Sequence, residues 1–262
     1  MLTTDVELAR TAAQAGAAVV RAMFGASPVR VEKSGGDFAT AADMEAERAI
    51  LDVIRTARPG DAVTGEEIGR TGPAGAERMW LVDPLCGTLN YAVRSMLVAV
   101  NVALRVGSDI TVAASADPFA DEVFWTDGLH ACVRRGGMDE PLKPSPDSRL
   151  VDVNLDPPFP SAPAFRAAAL LADPGFAERF RPRVVSTTLA VAWVAASAGR
   201  LRHRRRLHDS VHFAAGVALC RAAGCVVTGL DGLPPHTGAG GLVVAADQET
   251  HAALLDLIRP CR

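Results

Sequence analysis

The sequence predicts a mixed α/β protein in which sheets and helices are stacked in layers. Two early segments with apolar residues at helical spacing, a central run of short strands divided by turn signals, and an alternation of helix and strand after a proline-rich crossing lead to that class. With 262 residues, 49% of them hydrophobic and only 5% aromatic, the chain can bury a sizeable core built mostly from Ala, Val and Leu. A single domain in two packed halves, 1–140 and 141–262, is the expected organisation, with the proline- and aspartate-rich residues 139–164 as the crossing between them.

In residues 5–24, Val6, Ala9, Ala13, Ala17, Val20 and Phe24 recur at helical spacing, and Gly25 follows as a stop. Residues 30–33 read as a short strand and Ser34-Gly35-Gly36-Asp37 as a turn. A second helix spans about 40–57: Thr40 with Asp43 three residues on suggests a capping box, and Pro59-Gly60 ends it. A brief strand at 62–64 leads to Gly65-Glu66-Glu67, a polar loop covers 70–78, and an apolar strand covers 79–82. Residues 97–106 and 110–116 read as strands joined at Gly107-Ser108, and 122–126 and 130–134 as a hairpin around Asp127-Gly128. Beyond the crossing the expected order is helix 163–172, strand 183–186, helices 188–198 and 211–223, strands 225–228 and 241–245, and helix 248–258.

A net charge of −3 argues against bulk electrostatic binding to nucleic acid or to a membrane surface, and no apolar run reaches the roughly 18 residues of a membrane span. The first residues are acidic and lack a basic leader segment, so no signal peptide is expected. Five cysteines without a C-x-x-C pair fit a reducing compartment, and a cytoplasmic location is expected. Cys132, Cys220, Cys225 and Cys261 read as small hydrophobes.

Trp80-Leu81-Val82-Asp83-Pro84-Leu85-Cys86-Gly87-Thr88-Leu89-Asn90-Tyr91 is the stretch that carries chemistry. Pro84 lacks the N–H a ladder needs, so the strand is expected to stop there, with Asp83 at its end. An acidic residue beside the Gly87-Thr88 turn and its backbone N–H groups can hold an anion or a metal-bound phosphate. Glu66, at the end of a neighbouring strand, could share a hard cation such as Mg²⁺ with Asp83.

The stretch resembles the signature W-x-x-D-P-x-D-G-T-x-N-F/Y of the inositol monophosphatase family, and departs from it only at Cys86, where the family has an aspartate. The resemblance implies a layered αβαβα sandwich, often dimeric, with a metal- and phosphate-binding first half and a substrate-recognising second half. By the same resemblance Glu66 and Asp83 are metal ligands, Leu85 lends its backbone carbonyl, and Thr88 orients the attacking water with Glu66. Lys33, Thr40 and Asp43 match groups near that water, and Gly87 and Thr88 border the substrate.

The family's second cation takes three aspartates. The first is Asp83, Cys86 stands at the second, and the late W-D-x-A-x-G motif reads Val211-His212-Phe213-Ala214-Ala215-Gly216, placing His212 at the third. An alternative register uses Asp209. Three readings stay open: an oxygen, sulfur and nitrogen set suited to Zn²⁺ rather than Mg²⁺; a Cys86–His212 dyad; or two spectator residues. If Asp209 or Ser210 caps the helix, His212 lies in its first turn and is expected to be neutral.

The cationic run Arg200-Leu201-Arg202-His203-Arg204-Arg205-Arg206 puts Arg205 near where the family holds polyol hydroxyls with an acidic residue; a guanidinium favours carboxylate, phosphate or sulfate. The family's G-S-x-A segment is Val185-Ser186-Thr187-Thr188 here. The expected function is an enzyme acting on a small anionic ester, a phosphate or a sulfate, by altered chemistry such as an elimination or intramolecular displacement in a biosynthetic pathway. The alternatives are a weakened Mg²⁺-dependent phosphomonoesterase with one cation, and a non-catalytic pseudo-phosphatase. A homodimer that binds neither nucleic acid nor membrane is expected, with Mg²⁺, less readily Zn²⁺, or no cofactor.

Overall fold

The computed structural model describes residues 3–26, 30–32, 38–155, 167–196, 199–202, 210–235 and 241–259. The chain divides into two compact units. The first comprises Met1–Pro141 with Thr187–Leu189 and Ser210–Leu219; the second comprises Leu142–Ser186, Ala190–Asp209 and Cys220–Arg262.

The first unit opens with α1 (Asp5–Ala22), whose N-terminus is closed by a capping box between Thr4 and Glu7. The hairpin β1 (Arg30–Glu32) and β2 (Phe38–Thr40) leads into α2 (Ala41–Ala57). There follow β3 (Ala62–Gly65), β4 (Gly69–Thr71), β5 (Arg78–Cys86), the short α3 (Thr88–Ala92), β6 (Ala99–Val106), β7 (Asp109–Asp117), β8 (Glu122–Thr126), β9 (Ala131–Arg135) and β10 (Met138–Pro141). Eight of these strands form one sheet in the order β10-β9-β8-β7-β6-β5-β3-β4. All neighbours are antiparallel except β3 and β5.

Alternation along β5 sets the layers. Trp80 and Val82 join Val100, Val102 and Leu104 under the apolar faces of α1 and α2, where Leu8, Ala12, Ala46, Ile50 and Ile54 are buried. Met79 and Leu81 face the other way, against Ala103, Ala113, Ala214 and Ala215. Odd-numbered β5 residues therefore look toward the segment around residue 214, and Asp83 is the next in that series.

The second unit contains β11 (Leu150–Val153), α4 (Ala167–Leu171), α5 (Pro174–Arg179), β12 (Arg181–Val184), α6 (Leu189–Ala196), β13 (Gly199–Arg202), α7 (Ala214–Ala222), β14 (Val226–Thr228), β15 (Leu242–Ala245) and α8 (Gln248–Ile258). Leu189, the first residue of α6, and Ala214–Leu219, most of α7, fall in the first unit. Its sheet runs β12-β11-β13-β15-β14, with β11 parallel to both its neighbours. Val151, Val153, Phe176, Val243, Leu254 and Ile258 form its core.

Several elements differ from the sequence reading. The signature strand does not stop at Pro84: β5 continues to Cys86 through a register irregularity between Asp83 and Cys86, and a bulge is where a ladder tolerates proline. Residues 138–141 and 150–153, read as part of the crossing, are strands, and 69–71 is a strand rather than loop. The cationic run begins in β13, and a second short helix, α5, follows α4. These pieces are three to six residues long, too short for a periodic signal. Among the described residues no helix is long and apolar enough to cross a membrane.

Candidate functional site

Asp83 is fully buried. The irregularity after it turns the chain so that Leu85 packs on the α1/α2 face. Gly87 then takes a φ of +105°, and a Cβ there would lie 2.9 Å from the Leu97 carbonyl oxygen, so the turn to Thr88 requires glycine.

His212 comes to Asp83 from the segment before α7. It was expected in the first helical turn; instead α7 begins at Ala214, and residues 211–213 form a turn in which Phe213 and Ala214 donate their N–H groups to the Ser210 carbonyl. The ring Nδ1 lies 2.6 Å from Asp83 Oδ2 and 3.8 Å from Glu66 Oε2. Ligand atoms of Asp83, Cys86 and His212 all lie within 4.8 Å of one another, and Cys86 is a half-buried thiol outside any disulfide.

Charges in this cluster act on one another strongly. Burial pushes the Glu66 carboxyl up to about 9, and the Asp83 charge adds to the rise while the His212 charge offsets part of it. Burial acts on Asp83 in the same upward direction, but the His212 charge and the hydrogen bond from its ring win, and Asp83 is held below the usual carboxylate range. The groups titrate together, with Asp83 drawn toward its ionised form by His212 and Glu66 pushed toward its protonated form by burial.

A hydrogen-bonded network supports the other side. Thr88 donates its hydroxyl to Asp43 Oδ1 at 3.0 Å, and lies 3.3 Å from the Leu85 carbonyl oxygen. Asp43 Oδ2 accepts the Thr40 N–H at 2.8 Å and the Thr40 hydroxyl at 2.6 Å. Burial raises Asp43 to about 6, against the lowering effect of these hydrogen bonds.

Two sets of residues escaped the sequence reading. Glu47, buried one turn after Asp43, accepts the N–H groups of Glu67 at 3.1 Å and Ile68 at 3.0 Å, and so fixes the loop that carries Glu66. Its signal was an acidic residue at i+4 from Asp43 on the apolar face of α2. Asn101, paired with Asp83 across the β5–β6 ladder, donates to Thr188 Oγ1 at 3.0 Å and accepts from the Ser115 hydroxyl at 2.8 Å. Both Asn101 and Ser115 interrupt otherwise apolar strands. Lys33, Arg205 and Asp209, expected near the substrate, lie outside the described residues, as does Cys261.

Buried Asp83 on a bulged strand, the Gly87 turn and Thr88 hydrogen-bonded to Asp43 stand together on a mixed sheet, an arrangement that comparison with solved structures places among proteins of phosphatase fold. The sequence model of the inositol monophosphatase family matches residues 1–262. The inositol-1-monophosphatase of Caulobacter vibrioides is 28% identical over 269 residues, covering 97% of this chain and 99% of that protein. A probable inositol 1-monophosphatase ImpA of Mycobacterium tuberculosis is 32% identical over 238 residues, 87% of this chain and 84% of its own. Among solved structures, the extragenic suppressor protein suhB from Bartonella henselae superimposes with a TM-score of 0.82 at 22% identity, covering 96% of this chain and 97% of that one. The inositol monophosphatase from Anabaena (Nostoc) sp. PCC 7120 gives 0.75 at 25% identity, over 98% and 96%. The chain belongs to the inositol monophosphatase family, whose members are generally Mg²⁺-dependent.

Fit to Mg²⁺ divides the cluster. Asp83 is a fully buried carboxylate, and the neighbouring Glu66 carboxyl is pushed toward its protonated form by burial and by the Asp83 charge. A hard cation satisfies both conditions, so Glu66, Asp83 and the Leu85 carbonyl fit one Mg²⁺. The position bounded by Asp83 Oδ2, Cys86 and His212 does not fit a second: sulfur and nitrogen are poor Mg²⁺ donors, and Oδ2 already meets the His212 ring.

Proposed function

We propose that this chain is an enzyme acting on a small anionic ester, a phosphate or a sulfate, in which an Asp83–His212 couple and the Cys86 thiol replace the second cation of its relatives. The observation that carries the reading is the 2.6 Å contact between His212 Nδ1 and Asp83 Oδ2. A buried carboxylate on Nδ1 fixes the ring's orientation and leaves Nε2 as the nitrogen that exchanges a proton with substrate. Thr88, held by Asp43, orients the attacking group, and Gly87 lets the backbone approach the anion. One Mg²⁺ held by Glu66, Asp83 and the Leu85 carbonyl would supply charge against the developing negative charge of the leaving anion.

The reaction is a cleavage, elimination or intramolecular displacement in which the phosphate or sulfate departs with the electron pair of the broken bond, as His212 moves a proton. Arg205, Lys33 and Asp209 belong to this proposal as substrate contacts, with the guanidinium favouring a second anionic group. So do a role in biosynthesis, a cytoplasmic location and a homodimer, which sedimentation would test.

A second reading is a weakened Mg²⁺-dependent phosphomonoesterase, favoured by the buried Asp83 carboxylate beside Glu66. Release of phosphate and sulfate from a panel of small esters, across a Mg²⁺ titration, separates the two. The first reading expects turnover that is lost in the Cys86→Asp/His212→Asp double variant; the second expects phosphate release that rises in it. No turnover by folded wild-type protein on any ester would leave only the pseudo-phosphatase.

A further inference from the structure

We infer that Asp83, Cys86 and His212 form a binding site for one borderline-soft divalent cation of the Zn²⁺ class, at the position whose donors no longer suit Mg²⁺. A carboxylate oxygen, a thiol sulfur and an imidazole nitrogen lie within 4.8 Å of one another. Zinc accepts all three donor types, and tetrahedral coordination with bonds of about 2.0–2.3 Å sets donors roughly 3.3–3.8 Å apart. At no more than 4.8 Å apart the donors are within about 1–1.5 Å of that spacing, and the His212–Asp83 contact, at 2.6 Å, has to open by about 1 Å.

A second observation points the same way. Asp83 is fully buried, and the His212 ring, Glu66 and the Cys86 thiol all turn toward its carboxylate, so side chains from separate segments converge on one buried charge. Glu66 Oε2, 3.8 Å from His212 Nδ1, offers a fourth donor. The half-buried Cys86 and a His212 side chain that is 22% exposed leave an approach for the ion.

Binding releases protons. The S–H bond of Cys86 breaks as the sulfur–metal bond forms, and its proton goes to solvent; His212 gives up the proton on its ligating nitrogen in the same way. The cation therefore displaces the proton the Asp83–His212 couple carries. The inference concerns the same residues as the proposed function and does not depend on it; in the ion-bound form His212 is a ligand and moves no proton.

Calorimetry with Zn²⁺ and absorption spectroscopy with Co²⁺, on the full-length protein, are the test. One equivalent of Co²⁺ is expected to give a thiolate-to-metal charge-transfer band that is absent in Cys86→Ser and retained in Cys132→Ser, with release of protons. Cys86→Ser and His212→Ala are each expected to weaken Zn²⁺ binding by about 100-fold or more, beyond the 10- to 100-fold typical of losing an outer-shell partner. A Co²⁺ spectrum unchanged by Cys86→Ser, or Zn²⁺ binding no tighter than Mg²⁺, would overturn the inference. If Zn²⁺ binds as expected and no ester is turned over, the metal site stands and the proposed activity falls.

Discussion

On the α2 side of the candidate site, Asp43 and Glu47 are buried carboxylates met by donors from Thr40, Thr88, Glu67 and Ile68. On the β5 side, Asp83, Glu66, Cys86 and His212 crowd together, with the Glu66 carboxyl pushed up to about 9, chiefly by burial. The first arrangement positions groups; the second holds charge that a ligand, cation or substrate would relieve. The difference separates carboxylates already met by backbone and hydroxyl donors from acidic groups crowded against one another and against His212.

The comparison breaks most visibly at His212. His212→Ala leaves the buried Asp83 carboxylate without its counter-charge, and a loss of about 3 kcal/mol in chemical denaturation is expected. An unchanged midpoint would mean the couple carries no stability.

Asp43 sharpens the other side. Its folded value near 6 lies above the ordinary 3.8, so between about pH 4 and 6 the unfolded chain is ionised while the folded one keeps its proton. This contribution is complete below about pH 4 and is lost as pH rises to 6, amounting to about 2–3 kcal/mol at 1.36 kcal/mol per unit. Asp43→Asn is expected to flatten that slope in denaturation measured across the range.

Gly65 tests the packing beneath Glu66. A Cβ there would lie 2.0 Å from Glu47 Oε1, so Gly65→Ala should cost about 2 kcal/mol and lower the melting temperature. The smallest effect belongs to Thr88. Thr88→Ala removes one hydrogen bond to Asp43, worth about 1 kcal/mol, whereas Thr88→Ser keeps the donor and is expected to retain both stability and any turnover.

The long elements were legible because their signals are local. The apolar spacing of α1, the Thr40–Asp43 capping box of α2 and the Asp127-Gly128 turn between β8 and β9 each lie within one stretch of chain. The short strands β4, β10 and β11 were not, since a few residues carry no period and their partners set them. Glu47 and Asn101 were passed over for the same reason: each looks like one polar residue in an apolar pattern until the fold shows what it meets.

The sequence by itself determined the family, the layered α/β class and the set of residues at the signature, because spacing along a strand, turn and helix start is a property of the chain. Only the tertiary structure decided that the ladder passes Pro84, that His212 precedes its helix, and that its ring meets Asp83 across 129 positions of sequence. Contacts of that separation depend on which sheet face each residue takes and on what is buried beside it. Burial, not sequence spacing, then raises Glu66 and Asp43, and the contact with His212 overrides burial at Asp83.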